Sequence, residues 1–193
     1  MLYKFVEILI SAIALIPVFV LLNRTMFHNI RKTVLYFVFA VYLAAVYLFV
    51  GIPTLQFMRF EVSLTLVPFL PMVADFKNTI LNIILFVPLG IMLPFLWKKY
   101  NTLKAAAVFG FMMSLSIELL QLFTYRATDI NDLISNTLGT VFGYFLFGMI
   151  SYLVPSVRNV AKRKTEVAAV IVPVILVMFF VQPYLASIFY KIT

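Results

Sequence analysis

Long apolar runs alternate with short polar breaks along the whole chain. Six runs, at about 3–22, 33–52, 78–97, 104–124, 132–153 and 167–190, approach or reach the roughly 20 residues that a membrane-spanning helix needs. Lipid offers the backbone no hydrogen-bond partner, so each run is expected to be a helix. Pro17, Pro88 with Gly90, Gly110 and Pro173 lie inside runs and Gly51 near an end, where membrane helices tolerate them, sometimes as kinks.

Composition agrees with this pattern. The chain of 193 residues is 64% hydrophobic and 11% charged, with mean hydropathy +1.09, whereas soluble domains are about a quarter charged. The expected class is an all-α integral membrane protein, a bundle of about six transmembrane helices forming one domain over residues 1–193. Glu7 interrupts the first run and no small-residue cleavage site follows, so that run is expected to be a retained span. There is no cysteine, which excludes disulfides, thiolate metal sites and thiol catalysis. The net charge of +8 is dispersed in short runs between spans, a pattern of topology and of anionic lipid attraction rather than nucleic acid.

The linkers alternate in charge. The first carries Arg24, His28, Arg31 and Lys32, the third Lys98, Lys99 and Lys104, and the fifth Arg158, Lys162, Arg163 and Lys164. The second offsets Arg59 and Lys77 with Glu61 and Asp75, and the fourth offsets Arg126 with Asp129. Basic linkers stay cytoplasmic, so both termini and the even linkers are expected outside. The second linker, about 53–77, is apolar but broken by Pro68 and Pro71. It is expected to lie over the outer face as a re-entrant or surface segment, with a plain extracellular loop as the alternative.

Polar residues concentrate in one stretch, 114–143. Ser114, Glu118 and Gln121 are spaced to share one helix face, and Asp129, Asp132, Asn136 and Thr140 fall about one face of the next span. Asn131 and Arg126 complete the stretch. Asn82 on the third span and Asn136 are expected about 6 Å below the outer surface, and Glu118 about 9 Å. A charge in the bilayer costs about 2.5–3.5 kcal/mol, so Glu118 is expected to pair with Arg126 rather than face lipid. Gly139 and Gly143 form a seam for close helix contact. Polar residues also serve as plain interhelical glue, worth about 0.6 kcal/mol each. Several ionisable groups at one depth beside a water-facing loop favour a ligand-binding site instead. Elsewhere, His28 is read as a loop residue and Trp97 as an interfacial anchor, while Glu7 is a weaker candidate that needs a partner if buried or else snorkels near the terminus.

Zinc is not expected without a histidine or cysteine cluster. The oxygen donors of Glu118, Asp129 and Asp132 leave magnesium or calcium open, although no loop has metal-ligand spacing and no cofactor is expected. Asp129 or Glu118 as a general base, with Arg126 holding a phosphate, is the enzymatic alternative.

Three blocks give a resemblance. Leu66–Phe69 reads LVPF; Asn82, Phe86, Pro88 and Gly90 form an NxxxFxPxG block; Glu118 and Gln121, then Asp129, Asp132, Asn136 and Gly139, form the last. In order and spacing they resemble the VanZ-like membrane proteins over about 55–150. The resemblance implies a multi-pass protein of the bacterial envelope with an outward-facing polar site. It also implies a link to low-level teicoplanin resistance in Gram-positive bacteria through reduced antibiotic binding at the cell surface. The expected partners are membrane lipids and a lipoglycopeptide or wall precursor. A binder is preferred to an enzyme acting on a lipid-linked or phosphorylated envelope substrate, and a structural helix bundle is the third reading.

Overall fold

The computed structural model describes residues 2–51, 64–65, 67–69, 72, 75–123, 128–154 and 166–192. Six of its helices are long and apolar enough to cross a membrane: Tyr3–Phe27, Ile30–Val50, Phe76–Leu96, Leu103–Gln121, Ile130–Leu153 and Glu166–Lys191. The all-helical membrane architecture is therefore as the apolar runs predict. The chain divides into two compact units, one drawn from residues 1–58 and 165–193 and the other from 59–164.

In the first unit α1 (Leu2–Leu22) runs into a π-helical turn at Asn23–Phe27, so the first span ends later than its hydropathy suggests. His28 closes that turn in the left-handed region, with φ 48°. Next comes α2 (Ile30–Val50), which starts three residues before the expected 33. Asn29 caps it, accepting from the Lys32 amide, and so satisfies one of the unpaired donors of the first turn. Gly51, with φ 73°, ends it, in a conformation that glycine adopts without penalty. The last span is α6 (Glu166–Leu176), a π-helical segment Val177–Val181 and α7 (Gln182–Ile192). Tyr36, Phe39, Ala40 and Ala44 of α2 are fully buried in this unit.

The second unit is built on α3 (Phe76–Leu96), α4 (Leu103–Gln121) and α5 (Ile130–Leu153). The fifth helix packs extensively against α3 and also against α4. Its small residues explain the close approach. A Cβ at Gly139 or Gly143 would overlap the Ile83 or Val87 carbonyl oxygen of α3, and one at Gly90 would overlap the Thr140 carbonyl of α5. On its other side Thr140 presses its hydroxyl against Gly110 of α4. The seam read from Gly139 and Gly143 is thus the α3–α5 contact. Trp97, read as an interfacial anchor, closes the end of α3, where it is buried and meets Tyr100 edge-on at 6.4 Å.

Most of the segment 53–77 lies outside the described residues. Within it, β1 (Leu64–Thr65) pairs in parallel with β2 (Thr128–Asp129), in the register Leu64–Thr128 and Thr65–Asp129. This places part of the second linker beside the head of α5.

Candidate functional site

The polar residues of the second unit gather at one end, where α3 and α5 begin and α4 finishes. The face predicted on α4 is real: Ser114, Glu118 and Gln121 are all buried. Glu118 reaches across to the head of α5. Its Oε2 accepts the Asp129 backbone amide at 2.8 Å, so a carboxylate of α4 fixes the residue that caps α5. Arg126, the expected partner, lies outside the described residues.

Asp129 itself is the α5 cap. Its Oδ1 accepts from the Asn131 amide at 2.8 Å and from Asn131 Nδ2 at 2.7 Å. Asp132 lies in the first turn of α5, where a negative charge meets the positive end of the helix dipole. From α3, Asn82 Nδ2 donates to Asp132 Oδ1 at 2.6 Å. The juxtaposition expected of Asn82 therefore exists as a charge-assisted hydrogen bond between helices. One turn earlier, Asn78 turns away to the α3 cap and donates to Asp75.

Asn131 has a role that helical spacing conceals. Buried at the α5 head, its Nδ2 donates to the Val67 carbonyl at 2.9 Å and its Oδ1 accepts the Phe69 amide at 2.8 Å. One side chain thus pairs with the backbone as a neighbouring strand would. It fastens the VPF portion of the LVPF block to the site and helps hold Phe69 in a left-handed conformation, with φ 66°, which is uncommon for a bulky residue. Asn131→Ala should free this segment: amide exchange at Phe69 is expected to rise about tenfold, with the helices still protected. Exchange unchanged at Phe69 would contradict the clasp.

Deeper between the helices, Asn136 Nδ2 donates to Ser114 Oγ at 2.9 Å, and both residues are buried. Asn136 Oδ1 is buried with no hydrogen-bond partner among the described residues. One turn on, the Thr140 hydroxyl turns back onto the Asn136 backbone carbonyl. Among the described residues no group of three or more metal-ligating side chains is gathered. Neither the buried clasp by Asn131 nor the bond from Glu118 to a backbone amide has a periodic signature in the sequence.

The first unit holds a buried ion pair that the linker charges do not reveal. Lys32, which reads as one more topological cation, reaches Glu166 at 2.5 Å. The other carboxylate oxygen of Glu166 accepts from the Tyr36 hydroxyl at 2.6 Å. The available signal was an acid placed directly at the mouth of an apolar run.

Among the described residues, six helices long and apolar enough to cross a membrane define a multi-pass membrane protein, and buried amides gather with the Glu118 carboxylate at one end of three of them. The VanZ/LLP1 family profile matches residues 33–154. Protein VanZ from Enterococcus faecium is 32% identical over 117 residues, covering 60% of this chain and 68% of that protein. The chain belongs to the VanZ/LLP1 family. No solved structure matches it.

Proposed function

We propose that the end of the second unit formed by Asn82, Ser114, Glu118, Asp129, Asp132 and Asn136 is a ligand site at the outer membrane surface. It binds a polar group of a cell-surface lipid or wall component and thereby lowers the binding of a glycopeptide such as teicoplanin. The likeness to Protein VanZ of Enterococcus faecium and membership of the VanZ/LLP1 family support the envelope role. The observation that carries the site is Asn136. A residue serving only as glue satisfies both ends of its amide, because an unpaired buried polar atom costs about 1–3 kcal/mol. Here one end is bonded to Ser114 and the buried Oδ1 has no partner among the described residues, and it is the acceptor assigned in this reading to a donor group of a ligand that reaches between the helices.

The charge of the linkers supports the reading: with the basic linkers 24–32, 98–104 and 158–164 on the cytoplasmic side, as their charge favours, the α5 head would face outward. A reporter fused after Thr193 should then be accessible from outside intact cells, and a cytoplasmic reporter would turn the site inward.

Asn136→Leu, Glu118→Gln and Asp132→Asn, expressed at wild-type level in a Gram-positive host, test the function. Binding of a fluorescent teicoplanin to the cell surface should rise about threefold or more in each, toward that of cells lacking the protein, as a lost hydrogen bond of about 1 kcal/mol implies. Wild-type binding in all three folded variants would remove the proposed site.

A further inference from the structure

The first unit carries a groove that the polar site does not involve. It lies between the end of α1, the π-helical turn and the start of α2, and encloses about 320 Å³, at the lower end of ligand-sized pockets. Phe19 is its buried floor, meeting Phe37 edge-on at 5.5 Å. Ile16, Val20, Ile30 and Val34 form exposed apolar walls. Asn23, Arg24 and Thr33 supply the polar end.

That end is ordered by hydrogen bonds. Asn23 Oδ1 accepts from the Asn29 amide at 3.0 Å and from the Thr33 hydroxyl at 2.8 Å. With both acceptor positions occupied, its amide NH2 is the group left to donate. The neighbouring cations differ in availability. Lys32 is committed to Glu166, whereas Arg24 is exposed and has no ion-pair partner among the described residues. A π-helical turn placed here, where an α-helical end would suffice, is the kind of local departure that accompanies sites.

We infer that this groove is a binding site for a single anionic phospholipid. The phosphate sits at Arg24 and the Asn23 amide, and one acyl chain lies along Phe19, Val20, Val34 and Phe37. Charge complementarity selects the occupant: a guanidinium pairs two phosphate oxygens at once, and the groove has no carboxylate to repel them. Its apolar length, from Ile16 to Asn23 along α1, is on the order of 10 Å. Because α1 and α2 are membrane-spanning, the exposed walls meet acyl chains, and the polar end lies at the helix termini where phosphates reside. The inference is independent of the site at the α5 head.

Native mass spectrometry tests it. The purified full chain is released from nanodiscs that contain phosphatidylglycerol and phosphatidylcholine with matched acyl chains. The wild type should retain phosphatidylglycerol preferentially. Arg24→Ala should lower that preference about tenfold, while Arg31→Ala, an equal loss of charge outside the groove, should change it only about twofold, because an exposed charge away from the bound phosphate is screened by salt. Val20→Trp, which fills the groove at an exposed position, should remove retained lipid while helicity by circular dichroism stays at the wild-type level. An Arg24→Ala variant with wild-type preference, or an Arg31→Ala variant as impaired as Arg24→Ala, overturns the inference. So does displacement of phosphatidylglycerol by excess inorganic phosphate, which would mark a site for the free anion.

Discussion

Alanine at Gly143 is expected to destabilise the protein by about 3 kcal/mol, lowering its thermal midpoint in detergent by roughly 10 °C. The cause is backbone against backbone. The new Cβ would overlap the Val87 carbonyl oxygen and crowd the Gly90 Cα, and neither atom has a rotamer through which to move aside. The helices must separate, which disrupts the small-residue packing that holds membrane helices together where lipid supplies no hydrophobic drive. Gly148→Ala, five residues along the same helix, is the control. A Cβ there meets nothing within 4 Å, so alanine should be neutral or stabilising by up to about 1 kcal/mol. Equal midpoints for the two variants would show that α3 and α5 do not make this contact.

Glu166→Ala is expected to cost about 3–5 kcal/mol, because it leaves Lys32 largely buried without its counter-charge. The Glu166 side chain is only 2% exposed and that of Lys32 15%, so solvent screens the pair little. The Tyr36 hydroxyl loses its acceptor as well. A double variant, Lys32→Met with Glu166→Ala, should recover much of the loss, since two neutral side chains leave no buried charge. The measurement is a double-mutant cycle on thermal midpoints in one detergent. Strict additivity of the two single losses would mean that the pair contributes no coupling. Glu166→Gln should fall between, because an amide oxygen still accepts from Tyr36 or Lys32.

Much of the α-helical framework was legible in the residues. Each apolar run became a helix because hydropathy and backbone satisfaction in lipid are local requirements that one segment meets alone. The departures are at the ends, where local chemistry outweighs hydropathy. Asn29 starts α2 early by capping it, and the π turn carries the first span on to Phe27. On α4, the helix stops at Gln121 although apolar residues continue to Phe123.

The candidate site was legible in its members more than in its bonds. The spacing of Ser114, Glu118 and Gln121 placed them on one face, and all three are buried. Counting rise brought Asn82 level with the head of α5, where it bonds Asp132. Spacing could not say that Asn78 would turn to Asp75, or that Asn131 would clasp residues 67–69. Both amides choose backbone or capping groups over a shared helix face, and those choices depend on where a loop arrives.

By itself, then, the sequence determined the number of spans, their helical state, the polar end of the second unit and the small residues available for close packing. These follow from hydropathy, periodicity and residue size, which each segment carries within itself. Tertiary structure alone decided the partners. It set Gly139 and Gly143 against the carbonyls of α3, joined Asn136 to Ser114, and gave Glu118 a backbone amide. It also closed Lys32 onto Glu166 across 134 residues of chain. Such pairings depend on which helix faces meet and how closely, and the intervening residues carry no local trace of that geometry.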